Sequence, residues 1–160
     1  MNAFGPILAA EDEETDRFIL NLGFERAKLP HALVTVRDGA ECVDYLSGTG
    51  VFADRALHPL PVLLILDLKM PRMDGFEVLG WLARRPDFKN LPVVVLSSSS
   101  DDSDIQKARG LGARDYFVKP TALSDLVKIL QSLQTRWLLN TQTQGGQPSK
   151  TLEEIKRPGI

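Results

Sequence analysis

A chain of 160 residues, 43% hydrophobic and 25% charged, is long enough for one globular domain with a full core and little beyond it. Nineteen Lys and Arg against 21 Asp and Glu leave a formal charge of −2, so no positive surplus points to nucleic acid or to an anionic membrane. The single cysteine excludes an internal disulfide, and with no secretory leader and no bilayer-length apolar run a cytoplasmic setting is expected.

After a frayed lead at Met1–Gly5, Ile7-Leu8-Ala9-Ala10 reads as a short strand that stops at four carboxylates, Glu11 to Glu14. Glu13 and Glu14 suit the positive end of a helix dipole, whereas Glu11 and Asp12 fall in the strand-to-helix turn. The helix that follows is expected to bury Phe18, Ile19 and Leu22. Leu33–Val36 is a second strand, and Asp38 with Glu41 has the spacing of a capping box opening a helix that turns Val43 and Leu46 inward. Cys42 has no neighbouring base or cation in sequence and reads as core filler. His31 and His58 sit in loops without companion Cys or His, which speaks against zinc. Ser47–Pro61 reads as a long, tolerated insertion, since it holds no polar cluster suited to a site.

Val62–Leu66, five branched apolar residues in a row, suit a strand buried on both faces of a parallel sheet, and the run breaks off at Asp67. Asp74 and Glu77 repeat the capping-box spacing, ahead of a helix with Phe76, Leu79 and Leu82 inward and Trp81 at its edge. Pro92–Leu96 is a fourth strand, ending in Ser97–Ser100; a short helix then carries Ile105, Ala108 and Leu111 and is closed by Gly110 and Gly112. Tyr116–Val118 is a fifth strand, followed by Lys119-Pro120. A last helix, from about Leu123 to Leu139, carries the stripe Leu123, Leu126, Val127, Leu130, Leu133 and Trp137. Beyond it Thr141–Lys150 is rich in Gln, Gly and Ser and is expected to be flexible.

Five strands alternating with five helices predict an α/β, flavodoxin-like, doubly wound parallel sheet of strand order 2-1-3-4-5. In such sheets ligands gather at the carboxyl ends of the strands, and this order brings Glu11, Asp12, Asp67, Ser97 and Lys119 to one such edge. Singly, each is ordinary: an Asp after a strand is often a cap, and a serine run is often a loop. Together they are three carboxylates, a hydroxyl and an ammonium. Three carboxylates repel unless a cation joins them, and a set of oxygen ligands suits a hard ion, Mg²⁺. Asp67 is then placed to attack a phosphoryl group, with the Lys119 ammonium and the Ser97 hydroxyl directed to its oxygens.

From about Ile7 to Leu139 the chain resembles the receiver domains of response regulators in two-component signalling. The resemblance rests on the acidic pair Glu11-Asp12, Asp67 within DLKMPRMDG, Ser97 within VVVLSSS, Tyr116 and Lys119-Pro120. The intervals of thirty residues from Asp67 to Ser97 and twenty-two from Ser97 to Lys119 also fit. It implies a receiver domain over residues 6–139 with a flexible tail over 140–160 and no output domain. Asp67 matches the phosphoacceptor, which takes its phosphoryl group from a histidine kinase; such a protein is not an enzyme, although it promotes its own phosphorylation and dephosphorylation. Asp12, Asp67 and the Lys69 main-chain carbonyl match direct Mg²⁺ ligands, and Glu11 matches an acid holding the metal through water. Ser97 and Lys119 match the pair that engages the phosphoryl group, Ser97 and Tyr116 the switch pair, and Lys119-Pro120 a cis peptide bond. Three positions depart from the usual pattern: Glu11 for Asp, Ser97 for Thr, and Lys69 for Asn, the last with a consequence expected for phosphoryl lifetime.

With about twenty residues after Leu139, output is expected through another protein or through self-association. Trp137, Leu138 and Leu139 at the end of the last helix are similar to the ending of phytochrome-associated response regulators, which implies a phytochrome-type kinase and a homodimer through the fourth helix, fifth strand and fifth helix; packing of Trp137 on the flank of the sheet is the simpler alternative. A flavodoxin-like electron carrier is disfavoured by the acids, which oppose a flavin phosphate, and a haloacid-dehalogenase-type phosphatase would want a second Asp where Lys69 stands. A degenerate receiver acting only by binding is disfavoured by the complete acid, Asp, Ser and Lys set.

Overall fold

A computed structural model describes residues 4–139. Five strands, β1 (Ile7–Ala10), β2 (Leu33–Val36), β3 (Leu63–Leu66), β4 (Val93–Ser97) and β5 (Asp115–Val118), alternate with five helices, α1 (Glu14–Ala27), α2 (Gly39–Ser47), α3 (Gly75–Ala83), α4 (Asp102–Gly110) and α5 (Leu123–Leu133). All strand pairs are parallel and the order is β2-β1-β3-β4-β5, as the alternation of elements predicts. Among the described residues no helix is long and apolar enough to cross a membrane. The expected tail over 140–160 lies outside the described residues.

The central strands are apolar throughout because both faces are covered. Alternate residues divide them: Leu8, Ala10, Leu64, Leu66 and Val95 pack with Cys42, Tyr45, Val78 and Leu79 of α2 and α3, while Ile7, Ala9, Leu63, Ile65 and Val94 pack with Leu20, Phe24, Leu126 and Leu130 of α1 and α5.

Helix α1 is rotated from its expected orientation. Leu20, Gly23, Phe24 and Ala27 are its buried stripe, whereas Phe18 is 68% and Ile19 40% exposed. Gly23 explains the rotation, for Leu126 of α5 lies 2.9 Å from where its Cβ would stand, so the two helices approach closest on that face. In α2, Cys42, Tyr45 and Leu46 are buried and Val43 is only partly so; in α3, Val78 and Leu79 are buried while Phe76 and Leu82 are at the rim. Trp81 does lie at the edge, against Phe88 and under the Arg85 guanidinium.

The last helix does not run on as a regular α-helix to Leu139. It widens into a π-helical turn over Gln134–Leu138. A step of five residues from Leu133 puts Leu138 back on the buried face, and both side chains are within 1% of full burial. Trp137 is partly buried on the same core, so it packs on the flank of the sheet. The Ser47–Pro61 connection is more than slack chain: the Arg55 guanidinium donates to the carbonyls of Tyr45, Leu46 and His58 at 2.7, 2.7 and 3.1 Å, closing the carboxyl end of α2. The Tyr45 hydroxyl donates to the Pro59 carbonyl at 2.8 Å.

Candidate functional site

The register of the sheet builds the site. Ala10 pairs with Leu66, so the residues that follow them, Glu11 and Asp67, emerge side by side, and the Asp67 N–H donates to the Ala10 carbonyl at 3.1 Å. Ser97 pairs with Val118, and the Lys119 N–H donates to the Ser97 carbonyl at 2.8 Å. Gly75 lets the start of α3 close against the strand, since a Cβ there would collide with the Asp67 carbonyl oxygen. Asp74 caps that helix by accepting from the Glu77 N–H at 2.9 Å.

Four of the predicted residues converge. The Lys119 ammonium donates to Glu11 Oε2 at 2.7 Å and to Asp67 Oδ2 at 3.0 Å. Carboxylate oxygens of Glu11, Asp12 and Asp67 lie within 4.8 Å of one another. Asp67 Oδ1 accepts from the Leu68 N–H at 2.7 Å, and Glu11 Oε1 from the Glu13 N–H at 3.1 Å. Three neighbouring carboxylates offering only hard oxygen donors fit a divalent cation. Burial, reinforced by the charge on Asp67 and opposed by Lys119 and the Glu13 N–H, pushes the Glu11 carboxyl up to about 7. Burial works against the Lys119 ammonium, but hydrogen bonds to Asp16, Glu11 and Asp67 outweigh it and hold its pKa above the usual lysine range.

Ser97 is buried at the end of β4, and its Oγ accepts from the Ser99 N–H at 3.2 Å. The Tyr116 hydroxyl donates to the Ser99 carbonyl at 2.8 Å, and the Ser99 hydroxyl to Asp104 of α4 at 2.6 Å. The two switch candidates are thus joined through one loop. Lys69 is exposed in the loop after Asp67. The Lys119–Pro120 bond is not cis: no peptide bond among the described residues is, and the lysine stem reaches the carboxylates from a trans backbone.

Three contacts were not anticipated from the sequence. Asp16 is a third acceptor for Lys119, at 2.8 Å; no local pattern signals it, since the two residues are 103 positions apart. Arg17 donates to the carbonyls of Glu11 and Asp12, 2.8 Å each, and steadies the acidic turn. Arg72, at φ 63°, clamps the buried Asp38 at 2.6 Å and ties the loop after Asp67 to the start of α2.

Comparison with known proteins agrees with this geometry. The sequence profile of the response regulator receiver domain matches residues 7–131. Response regulator Rcp1 of Synechocystis is 33% identical over 132 residues, which span 82% of this chain and 88% of that protein. Its Mn²⁺-bound crystal structure superposes with a TM-score of 0.73 at 30% identity, over 91% of this chain and 99% of that one. Response regulator RPA3017, of red light signalling in R. palustris, gives a TM-score of 0.79 at 34% identity over 92% of this chain and all of its own. The phosphorylated cyanobacterial phytochrome response regulator RcpA gives 0.76 at 35% identity, with the same coverage. Sequence, sheet order and the acidic rim lead to one conclusion: this chain belongs to the family of response regulator receiver domains.

Proposed function

We propose that Asp67 accepts a phosphoryl group from the phosphohistidine of a sensor histidine kinase, in a Mg²⁺-dependent reaction that switches the surface made by α4, β5 and α5. The observation that carries this reading is the single ammonium of Lys119 held between Asp67 and Glu11 at a rim formed by three different strands. Glu11, Asp12, Asp67 and the Lys69 main-chain carbonyl would hold the metal, which when bound neutralises charge on the phosphoryl oxygens. An Asp67 carboxylate oxygen forms a bond to phosphorus as the phosphorus–nitrogen bond of the donor breaks. The departing ring nitrogen keeps the bonding pair and takes a proton from solvent. Lys119 turns from the carboxylates to a phosphoryl oxygen. The Ser97 hydroxyl donates to another, and Tyr116, already bonded to the loop that carries Ser99, follows the change.

Likeness to phytochrome response regulators supports a phytochrome-type kinase as donor, and a buried lone cysteine suits the reducing cytoplasm. Exposed Val118 of β5, together with exposed Leu139 after the π-helical turn that follows α5, supports a homodimer or a downstream protein partner at this face. Incubation with acetyl phosphate and Mg²⁺ followed by intact mass measurement tests the central step. One added phosphoryl group, lost in Asp67→Asn and with chelator, is expected; the same gain in Asp67→Asn would move the acceptor elsewhere.

A further inference from the structure

We propose that Asp16 is a positioning residue for phosphoryl transfer: it holds the Lys119 ammonium at rest and slows the arrival of an anionic phosphodonor. The inference rests on Asp67 being the phosphoacceptor, and it concerns a residue outside the acid trio that would hold the metal. An ammonium has three N–H donors. In Lys119 all three are engaged, by Glu11 Oε2 at 2.7 Å, Asp16 Oδ2 at 2.8 Å and Asp67 Oδ2 at 3.0 Å. To bind a phosphoryl oxygen the ammonium must therefore release an acceptor.

The three acceptors differ. Glu11 and Asp67 follow directly on paired strands, and their side chains are 6% exposed. Asp16 stands in the first turn of α1 with its side chain 36% exposed. It shares with Lys119 and Glu11 the wall of a cleft of about 70 Å³, closed on its other side by apolar side chains including Ile19 and Leu126. Its carboxylate is thus the solvent-side competitor for the ammonium. Its charge acts in the same direction, because it offsets that of Lys119 and repels a dianionic donor. At the dielectric of a partly exposed site, one carboxylate several ångströms from the phosphoryl group amounts to about a fivefold effect on rate.

The test follows phosphorylation by acetyl phosphate at saturating Mg²⁺, where an Asp67 oxygen bonds to phosphorus and acetate leaves with the bridging oxygen and its electron pair. Asp16→Asn is expected to react about fivefold faster than wild type at low salt. The difference should shrink as ionic strength rises, and Asp16→Glu should restore the wild-type rate. Beryllofluoride, a phosphoryl mimic, should bind Asp16→Asn more tightly by a similar factor. An Asp16→Asn protein that reacts at the wild-type rate or more slowly, or a gain insensitive to salt, overturns the assignment. A wild-type protein that takes up no phosphoryl group at all instead overturns the reading of Asp67.

Discussion

At the scale of single residues, burial sets the chemistry. The Glu11 carboxyl is pushed up to about 7, against an ordinary 4.5, chiefly by burial. The folded, metal-free protein thus holds this proton more tightly than the unfolded chain does. The associated stability is full below the unfolded pKa and is lost as pH rises through 7. A cation bound there must displace the proton. Calorimetric Mg²⁺ titrations are expected to show affinity climbing from about pH 5.5 and levelling near about pH 8, with proton release that vanishes in Glu11→Gln. An unchanged slope in that variant would assign the proton to another group. Burial also pushes the Cys42 thiol up to about 12, with the charge on Asp38 adding to it. Its share of stability is full below the ordinary thiol pKa of 9.0 and is lost as pH rises toward 12. Iodoacetamide at mildly alkaline pH should leave native Cys42 unmodified and label it fully in denaturant, which a mass measurement reads directly. Both environments were partly legible in the sequence, where Cys42 stood without a base and Glu11 beside further acids. Asp16 was not, because its partner lies 103 residues away across the fold.

At the scale of elements, close approaches decide which substitutions the fold accepts. Gly75→Ala would force a methyl into the Asp67 carbonyl, where neither backbone can give way cheaply. A loss of about 2 kcal/mol is expected, with slower phosphorylation because Asp67 itself is displaced; thermal unfolding and intact mass measure the two effects. Arg55→Ala should cost about 1–3 kcal/mol by leaving two carbonyls at the end of α2 and one in the loop, that of His58, without their donor. A shift in melting temperature without any change in phosphorylation is the outcome expected of it, since this loop is remote from the acids. The capping residues Asp38 and Asp74 could be read from spacing alone, since a cap is a contact over three residues. The orientation of α1 could not. Phe18, Ile19 and Leu22 make as good an apolar stripe as Leu20, Phe24 and Ala27, and only the approach of α5 over Gly23 selects between them.

At the scale of the whole molecule, the proposed partner surface of α4, β5 and α5 can be tested directly. Trp137, within the π-helical turn, is partly buried against the core, while Leu139 just after that turn stays 48% exposed. Leu139→Asp is expected to weaken self-association without unfolding the domain, measured by light scattering at high micromolar concentration; a monomeric wild type would remove the homodimer. By itself the sequence determined the alternation of strands and helices, the parallel sheet and which side chains reach its carboxyl edge. Those follow from local apolar patterning and from connections whose handedness leaves few topologies. The tertiary structure alone decided which carboxylates share the Lys119 ammonium, which face of α1 is buried and how the last helix widens to keep Leu138 inside. Each of these depends on distances between segments far apart in the chain, and periodicity within one segment carries no information about the neighbour it will meet.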